Sequence, residues 1–531
     1  MIAGRTLWEL VEARAAATPD ALFAVDEDDR TLSFSQFRDA ARRTAAGLRE
    51  RGVGEATPVS WVLPSTLEAL VLSAALARLG AVQNPILPIY REREVGFVTR
   101  QTQARWLCVP PPFRGFDYPA MAEGLRVKLP ALRHVLVVDG ADAATSFERC
   151  LLERRWESEV DTARLFAERR PDPDDVSELM YTSGTTGRPK GVMHTANTLL
   201  AKARLADELF RLTPEDTVFM GSPLAHQTGF MYGCVLSIYN AAKCVLQDVW
   251  EAGDAARLIQ EERCTITLGS TPFLSDLVRS ASARRYDTSS LRLFLCAGAP
   301  IPRVLLREAA RTHPGLYVMS AWGMTENGIV TATYPGDPAA KVFETDGRAL
   351  PHQAVRVVDE AGRPLPPDTE GRLQARCATA FVGYLKRPED YAMSEDLWFD
   401  TGDNARMDAE GYIRITGRSK DIIIRGGENV PVVEVEELLH AHPAIEDVAV
   451  VAMPDERLGE RGCAFVQLVP GASLDFPSMV RYLAEQGLTR QYTPERLEIV
   501  DGFPRTPSGK IQKFRLRELA GSLAPMTASA G

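Results

Sequence analysis

The stretch Tyr181-Thr182-Ser183-Gly184-Thr185-Thr186-Gly187-Arg188-Pro189-Lys190-Gly191 decides how the rest of the chain is interpreted. It combines four hydroxyl side chains, three glycines and a lysine, so the N–H groups of a tight loop and one positive charge can converge on an anion. Pro189 stands where the common P-loop of kinases and GTPases requires glycine. A glycine-rich surface turn is the alternative, but turns rarely need so many hydroxyls. We therefore predict a polyphosphate-binding loop, preceded by a strand that ends at Met180 and followed by a strand or helix from Val192.

Composition indicates a folded protein of two or more domains. The chain has 531 residues, is 45% hydrophobic and carries a net charge of −10, which argues against a general nucleic-acid or anionic-membrane surface. The longest apolar run, 67–82, contains Glu68 and Arg78 and predicts a buried helix rather than a membrane span. The charged N-terminus fits no secretory signal, and eight cysteines without a Cys-x-x-Cys pair predict reduced thiols, no zinc site and a cytoplasmic location.

Strands alternate with helices on both sides of the loop, as in the βαβ units of a parallel sheet. The predicted strands are Leu22–Val25, Val59–Leu63, Gln83–Ile86, Trp106–Val109, Val135–Val138, Val218–Gly221, Cys244–Leu246, Thr265–Leu268 and Leu293–Cys296. Because ligands of open α/β sheets bind at the carboxyl ends of strands, the site is expected there.

The character of the sequence changes after Tyr334. Short strands rich in flanking Gly and Pro predict an all-β appendage or barrel, over Ala354–Val358, Gly371–Ala375 and Tyr412–Thr416. A compact α+β segment follows, with strands Ile422–Ile424, Val448–Val451 and Ala464–Leu468 and helices Val432–His440 and Ser478–Glu485.

Two further motifs carry carboxylates. Trp322-Gly323-Met324-Thr325-Glu326 follows a predicted strand, Leu316–Met319, and sets a hydroxyl beside an acid. A solvated loop glutamate is the alternative. Near a phosphate loop, however, we expect the carboxylate to bind Mg²⁺, since this ion takes carboxylates together with phosphate oxygens. Asp403 either accepts both ribose hydroxyls or stabilises an Asx turn.

Three other features have open interpretations. The polar segments 417–421 and 425–429 are either a hinge or an ordinary linker. The rigid turn 504–510 presents Lys510 either to a site or to solvent. His226 follows a strand end, where it is either structural or part of a substrate pocket.

Taken in order, these motifs resemble the adenylate-forming superfamily of acyl-CoA synthetases, peptide-synthetase adenylation domains and luciferases. The resemblance implies an α/β fold with a large N-terminal domain of packed α/β sheets and a β-barrel subdomain, plus a small mobile α+β C-terminal domain. It divides the chain into an adenylation domain, a hinge, a lid domain and a flexible tail, at residues 1–417, 418–421, 422–521 and 522–531. Trp322 stands where the family usually has tyrosine, and Pro431 comes one place early. This variant and the stretch 225–229 are similar to bacterial cyclohexanecarboxylate-type CoA ligases.

The resemblance implies that a carboxylate attacks the α-phosphate of ATP, that pyrophosphate leaves, and that a thiol then displaces AMP. ATP, Mg²⁺ and CoA are thus implied. Lys510, Glu326, Thr325 and His226 would be catalytic, with Thr185 and Glu326 at Mg²⁺ and rotation about Lys420 withdrawing Lys510 between the two steps.

The remaining residues follow from the same resemblance. The nucleotide would be held by Thr182, Ser183, Gly184, Thr185, Thr186, Gly187, Lys190, Gly298, Ala299, Pro300, Ser320, Ala321, Trp322, Gly323, Asp403 and Arg418. The acyl pocket would be lined by His226, Gln227, Gly229, Thr271, Met324 and Gly328. The CoA tunnel would contain Gly426, Gly427 and Glu428.

Three functions compete. The first is a CoA ligase for a small alicyclic, aryl or medium-chain acid, and the second is a free-standing adenylation enzyme that loads a carrier-protein phosphopantetheine. The third is a nucleotide sensor without turnover, against which the presence of Glu326, Asp403 and Lys510 argues. An α-amino acid would call for an aspartate partner, which the stretch 223–233 lacks. A monomer or homodimer without a nucleic-acid partner is expected.

Overall fold

A computed structural model describes residues 2–159, 171–182, 189–418, 423–425, 428–455, 458–488, 490–506 and 509–523. Strands β1 to β24 are, in chain order, Leu22–Val25, Thr31–Ser33, Pro58–Trp61, Val82–Pro85, Trp106–Val109, His134–Val137, Val176–Thr182, Lys190–Thr195, Thr217–Met220, Lys243–Leu246, Ile266–Gly269, Leu293–Cys296, Tyr317–Met324, Gly328–Ala332, Arg348–Ala349, Gln353–Val358, Gly371–Cys377, Phe399–Met407, Ile413–Arg418, Ile423–Arg425, Glu428–Val430, Ile445–Asp455, Gly459–Leu468 and Arg496–Ile499. Helices α1 to α15 are Leu7–Ala17, Phe34–Glu50, Leu67–Leu79, Glu92–Thr102, Tyr118–Lys128, Trp156–Glu159, Ala196–Phe210, Leu236–Asn240, Ala252–Glu261, Thr271–Arg279, Arg303–Thr312, Ala339–Glu344, Val432–His440, Phe476–Glu485 and Lys513–Ser522.

Two large sheets hold the strands that were predicted to alternate with helices. One has six strands in the order β6-β5-β3-β4-β7-β8, and the other has nine in the order β15-β14-β13-β12-β11-β9-β10-β1-β2. Their inner pairs are parallel, such as β3 with β4 and β9 with β10. The predicted parallel α/β core is therefore confirmed.

The main core lies between these two sheets and is filled by helices. The buried cluster joins β3 and β9 through side chains of α1, α2, α3 and α7. Helix α3 has apolar residues on every side, and Leu70, Leu72 and Leu76 are at most 1% exposed. The predicted buried helix is thus confirmed, and within the described ranges no helix is long and apolar enough to cross a membrane.

The segment predicted as a β-barrel contains a four-stranded antiparallel sheet. Strands β16 to β19 pair in a single path, and the described residues show no pairing of β16 with β19. A bridge between Arg348 and Tyr412 joins this sheet to β15. The sheet buries its inner face against Trp322 and Val330 of the nine-stranded sheet. Closure into a barrel stays a prediction.

The last part of the chain forms a five-stranded sheet with helices. The sheet has the order β21-β20-β23-β22, and β24 pairs with β23. Helix α13 has the bounds predicted for it, whereas β24 and α15 were not predicted. The predicted hinge residue Lys420 and the predicted CoA-tunnel residues Gly426 and Gly427 lie outside the described residues, as does the tail from 524. The division at 418–421 stays a prediction.

Candidate active site

The phosphate-loop motif begins and ends on a β-hairpin. Thr182 ends β7 directly opposite Lys190, which begins β8. The expected anion-binding residues Ser183, Gly184, Thr185, Thr186 and Gly187 connect the two and lie outside the described residues. Lys190 Nζ lies 3.1 Å from Asp390 Oδ2 and 4.8 Å from the centre of the Tyr384 ring. The lysine is therefore held at the mouth of the loop by an acid and an aromatic face.

The Thr325–Glu326 motif is the turn of a second hairpin, between β13 and β14. A Cβ atom at Gly323 would lie 2.3 Å from the carbonyl oxygen of Gly328, so only glycine allows the strands to approach this closely. Strand β13 runs to Met324, beyond the predicted end at Met319, because Ala321 to Met324 pair with β14.

Glu326 is only 7% exposed, and Tyr384 Oη donates a hydrogen bond of 2.7 Å to its Oε1. Burial and the Glu326 carboxylate both raise the pKa of Tyr384, so the phenol stays protonated as a donor. Tyr384 thus connects Glu326 with Lys190. A buried carboxylate held in place on a turn is a donor that suits Mg²⁺, so the described residues fit this ion.

The expected nucleotide residues Trp322 and Asp403 are in contact. Trp322 Nε1 donates a hydrogen bond of 2.9 Å to Asp403 Oδ2, and both residues are under 9% exposed. Strand pairing sets Asp403 opposite Arg418, the other expected ribose ligand. The backbones of the two expected ribose ligands, Asp403 and Arg418, are therefore adjacent. Ser320 and Ala321 are buried within β13.

Lys510 lies against the expected adenine segment. A Cβ atom at Gly298, where φ is +85°, would lie 3.3 Å from Lys510 Cε. The neighbouring Gly509 lies against the start of α10, since a Cβ there would lie 3.0 Å from Ser270 Oγ. Ala299 and Pro300 continue the segment, and Pro300 O accepts a 2.8 Å hydrogen bond from Thr271 Oγ1. The C-terminal turn is thus docked on the carboxyl ends of β11 and β12.

His226 shares this site with Lys510. Burial and the positive charge of Lys510 lower the pKa of His226 to about 3. Its Nδ1 accepts a 3.2 Å hydrogen bond from the amide of Thr228, so the neutral ring carries its proton on Nε2. His226 is therefore a neutral donor close to the lysine.

The expected acyl-pocket residues differ in their surroundings. Gln227 is 4% exposed, and a Cβ atom at Gly229 would lie 2.2 Å from the oxygen of Pro223, so Gly229 is required by close packing. Gly328 has φ +70° and packs against the stem of Lys202. Met324 packs against two hydrophobic clusters, one that contains Trp322 and one that contains Tyr384. The side chains of Arg418 and Glu428 lie outside the described part of the structure.

A cleft of about 720 Å³ opens beside the docked C-terminal turn. Thr271 and Pro223 line it on one side and Arg505, Thr506 and Gly509 on the other. It therefore reaches the residue that precedes Lys510.

Four residues of the site were not predicted from the sequence: Tyr384, Lys202, Glu178 and His194. A signal for Lys202 was present, since it lies three residues after Leu199 and four before Ala206, on the apolar face of α7. No signal in the sequence pointed to Tyr384, because its partner Glu326 is 58 residues away in the chain.

Comparisons with known proteins agree with this geometry. A family model described as AMP-binding enzyme matches residues 11–385, and one described as AMP-binding enzyme C-terminal domain matches residues 434–510. The medium-chain fatty-acid–CoA ligase of Escherichia coli K12 is 37% identical, over 95% of this chain and 88% of that protein. The 2,3-dihydroxybenzoate-AMP ligase of Bacillus subtilis 168 is 32% identical, over 97% of this chain and 94% of that protein. The crystal structure of the anthranilate CoA ligase AuaEII in complex with anthranoyl-AMP has a TM-score of 0.87 at 25% identity, over 97% of each chain.

Proposed function

Because the chain belongs to the family of AMP-binding enzymes, we propose that it is an AMP-forming ligase that joins a small alicyclic, aryl or medium-chain carboxylic acid to CoA. The observation that carries the proposal is the position of Lys510 against Gly298 and near His226, at the carboxyl ends of β11 and β12. The reaction uses ATP, Mg²⁺ and CoA.

In the first step, a carboxylate oxygen of the acid forms a bond to the α-phosphorus of ATP while the bond to the β-phosphate oxygen breaks. Lys510 places a positive charge where negative charge builds up on the α-phosphate and carboxylate oxygens. Thr325 would meet the same phosphate, and Glu326, held by Tyr384, would bind Mg²⁺. When bound there, the ion would neutralise negative charge on the phosphates.

In the second step, the thiol of CoA loses its proton to water and its sulfur forms a bond to the acyl carbon. The bond from that carbon to the phosphate oxygen breaks, and AMP leaves with the bonding electrons. The cleft of about 720 Å³ offers the thiol an approach to this carbon. Arg91 and Arg279 line the cleft on the side of the larger domain and suit the phosphates of CoA. Rotation of the C-terminal domain about 418–421 would withdraw Lys510 before this step.

A carrier-protein thiol is the second candidate acceptor. The similarity to a 2,3-dihydroxybenzoate-AMP ligase favours it, because that name describes adenylation without CoA. Both acceptors share the first step.

The test follows both half-reactions in one assay. The protein is incubated with ATP, Mg²⁺ and a panel of carboxylic acids, with and without CoA, while pyrophosphate release and thioester mass are measured. A CoA thioester from one small group of acids is expected. Pyrophosphate without thioester would favour the carrier protein, and no pyrophosphate with any acid would contradict the proposed function.

A further inference from the structure

A buried lysine and a buried glutamate, bridged by Gln227, lie behind the Thr325–Glu326 turn, and the two steps above do not use them. Lys202 of α7 is 2% exposed, and Glu178 of β7 is completely buried. Removing two charges from water costs free energy unless hydrogen bonds satisfy both of them. The surroundings of each charge therefore show what the pair holds in place.

Strand pairing places Glu178 between polar neighbours. Gln83 of β4 is opposite it on one side and His194 of β8 on the other. Gln83 Nε2 donates a 3.1 Å hydrogen bond to Glu178 Oε1. With its amide nitrogen turned toward Glu178, Gln227 donates a 3.1 Å hydrogen bond to Oε2 and accepts one of 3.2 Å from Lys202 Nζ. Gln227 thus bridges the acid and the lysine.

The ammonium group of Lys202 lies within hydrogen-bond distance of three polar atoms. These are His194 Nε2 at 2.9 Å, the main-chain oxygen of Thr325 at 3.1 Å and the amide oxygen of Gln227 at 3.2 Å. His194 Nε2 also lies 2.9 Å from the Thr325 oxygen, and His194 Nδ1 lies 3.0 Å from Thr198 Oγ1. Burial and the charge of Lys202 lower the pKa of His194, so the ring is neutral. Lys202 and His194 therefore both contact the Thr325 carbonyl.

We propose that Lys202 is a positioning residue for adenylate formation, which holds the Thr325 carbonyl and so orients the turn that meets the α-phosphate and Mg²⁺. Glu178 is its counter-ion, and Gln227 connects the assembly to the acyl wall. This inference rests on the proposed function.

The same lysine contacts the other side of the hairpin. A Cβ atom at Gly328 would lie 3.2 Å from Cγ and Cδ of Lys202, so the stem of the lysine packs directly on the glycine that follows the turn. Lys202 therefore touches the turn at Thr325 and at Gly328, three residues apart. A shift of the ammonium group moves the whole turn, and displacements of about 1 Å at a reacting centre can cost about a hundredfold in rate.

The test separates positioning from stability by removing the two charges together. Lys202→Met alone leaves Glu178 buried without a counter-ion, so a lower thermal midpoint is expected. The double variant Glu178→Gln with Lys202→Met removes both charges at nearly constant volume, and we expect most of the thermal stability to return. The kcat of pyrophosphate release is expected to stay 10- to 100-fold below wild type. The Kd for ATP and the rate of thioester formation from supplied acyl-adenylate are expected to change less than threefold.

The matched control is the double variant Lys243→Met with Glu262→Gln. This pair, at 2.7 Å, lies at the start of β10, the end of the sheet opposite the site. It is expected to keep the wild-type kcat.

Two results would overturn the proposal. Recovery of kcat together with stability in the Glu178→Gln, Lys202→Met variant shows that the pair only stabilises the fold. Equal losses in both half-reactions show general damage. If the double variant does not fold, Gln227→Met keeps both Lys202 and Glu178 but removes the amide that bridges them. It is expected to lower adenylation kcat three- to tenfold, whereas an unchanged kcat contradicts the proposal. Wild-type protein that releases no pyrophosphate would instead contradict the proposed function.

Discussion

Glu437 Oε1 lies 3.6 Å from Nε of Arg303, a contact that joins helix α13 of the C-terminal family domain to helix α11 of the larger one. Arg414 of β19 donates to the other oxygen of the same carboxylate. Arg303 is itself fixed by Asp346 at 3.0 Å. This group of charges holds the two parts of the chain in the arrangement that docks Lys510.

Glu437→Gln is expected to lower the rate of pyrophosphate release about three- to tenfold, because a charged contact of the docked arrangement is lost. The rate of thioester formation from supplied acyl-adenylate should be unchanged or higher. Glu434→Gln, an exposed change on the same helix, is the control. Equal losses in both rates would contradict a role in holding the arrangement.

Lys510→Ala is expected to lower pyrophosphate release about 100- to 1,000-fold, since one stabilising charge disappears from the transition state. ATP binding, measured by calorimetry, should persist. Lys128→Ala removes a lysine that is 60% exposed and paired only at the surface, and serves as the control. Normal pyrophosphate release in Lys510→Ala would refute the role of Lys510.

Tyr384→Phe removes the 2.7 Å hydrogen bond to Glu326 but keeps the ring. Hydrogen bonds to charged groups contribute about 1.5–3 kcal/mol, so the Mg²⁺ concentration for half-maximal activity is expected to rise about 10- to 100-fold. Tyr391→Phe loses a hydrogen bond to a neutral carbonyl in the same cluster and is the control. An unchanged Mg²⁺ dependence would mean that Tyr384 does not orient the metal ligand.

Trp322→Phe removes the indole donor that holds Asp403 at 2.9 Å. The KM for ATP is expected to rise about tenfold, because a hydrogen bond to a charged acceptor is lost at the expected ribose site. Trp398→Phe, a change in the β16–β19 sheet region, is the control. A change in kcat alone would argue against a ribose-binding role for Asp403.

The pKa of His226 predicts acid sensitivity. Folding lowers it from 6.5 to about 3, so between these values the unfolded chain binds a proton that the folded chain does not. Stability therefore rises with pH across this window and is lost as pH falls through it. The thermal midpoint of His226→Asn should depend less steeply on pH between about 6.5 and 4. An identical slope in the two proteins would show that His226 does not contribute.

Periodicity predicted most elements of the sheets, because each strand is a short apolar run bounded by polar turns. It predicted α13 to the residue and α3 as a buried helix. It missed α15, whose charged residues Arg515, Arg517 and Glu518 surround the few apolar side chains, Leu516 and Ala520, that are buried against β22 and β23. A packing partner of this kind is not visible in a local pattern.

The site was predictable where one segment carries the chemistry and unpredictable where distant segments meet. Thr325, Glu326 and Lys510 belong to short motifs with a recognisable order. Tyr384 acquires its role only when β-strand packing brings it to Glu326, and a glutamate such as Glu178 in a strand looks solvated until its neighbours are known.

The position of Glu178 between Gln83 and His194 also affects which strand register forms during folding. Side chains alternate between the two faces of a sheet, so a slip of β7 by one residue would move Glu178 away from Lys202 and leave both charges buried and unpaired. Misaligned hairpins at this edge are therefore strongly disfavoured. The buried contacts of Glu178 therefore favour the observed alignment of β7 and β8, which sets Thr182 opposite Lys190 at the two ends of the phosphate loop.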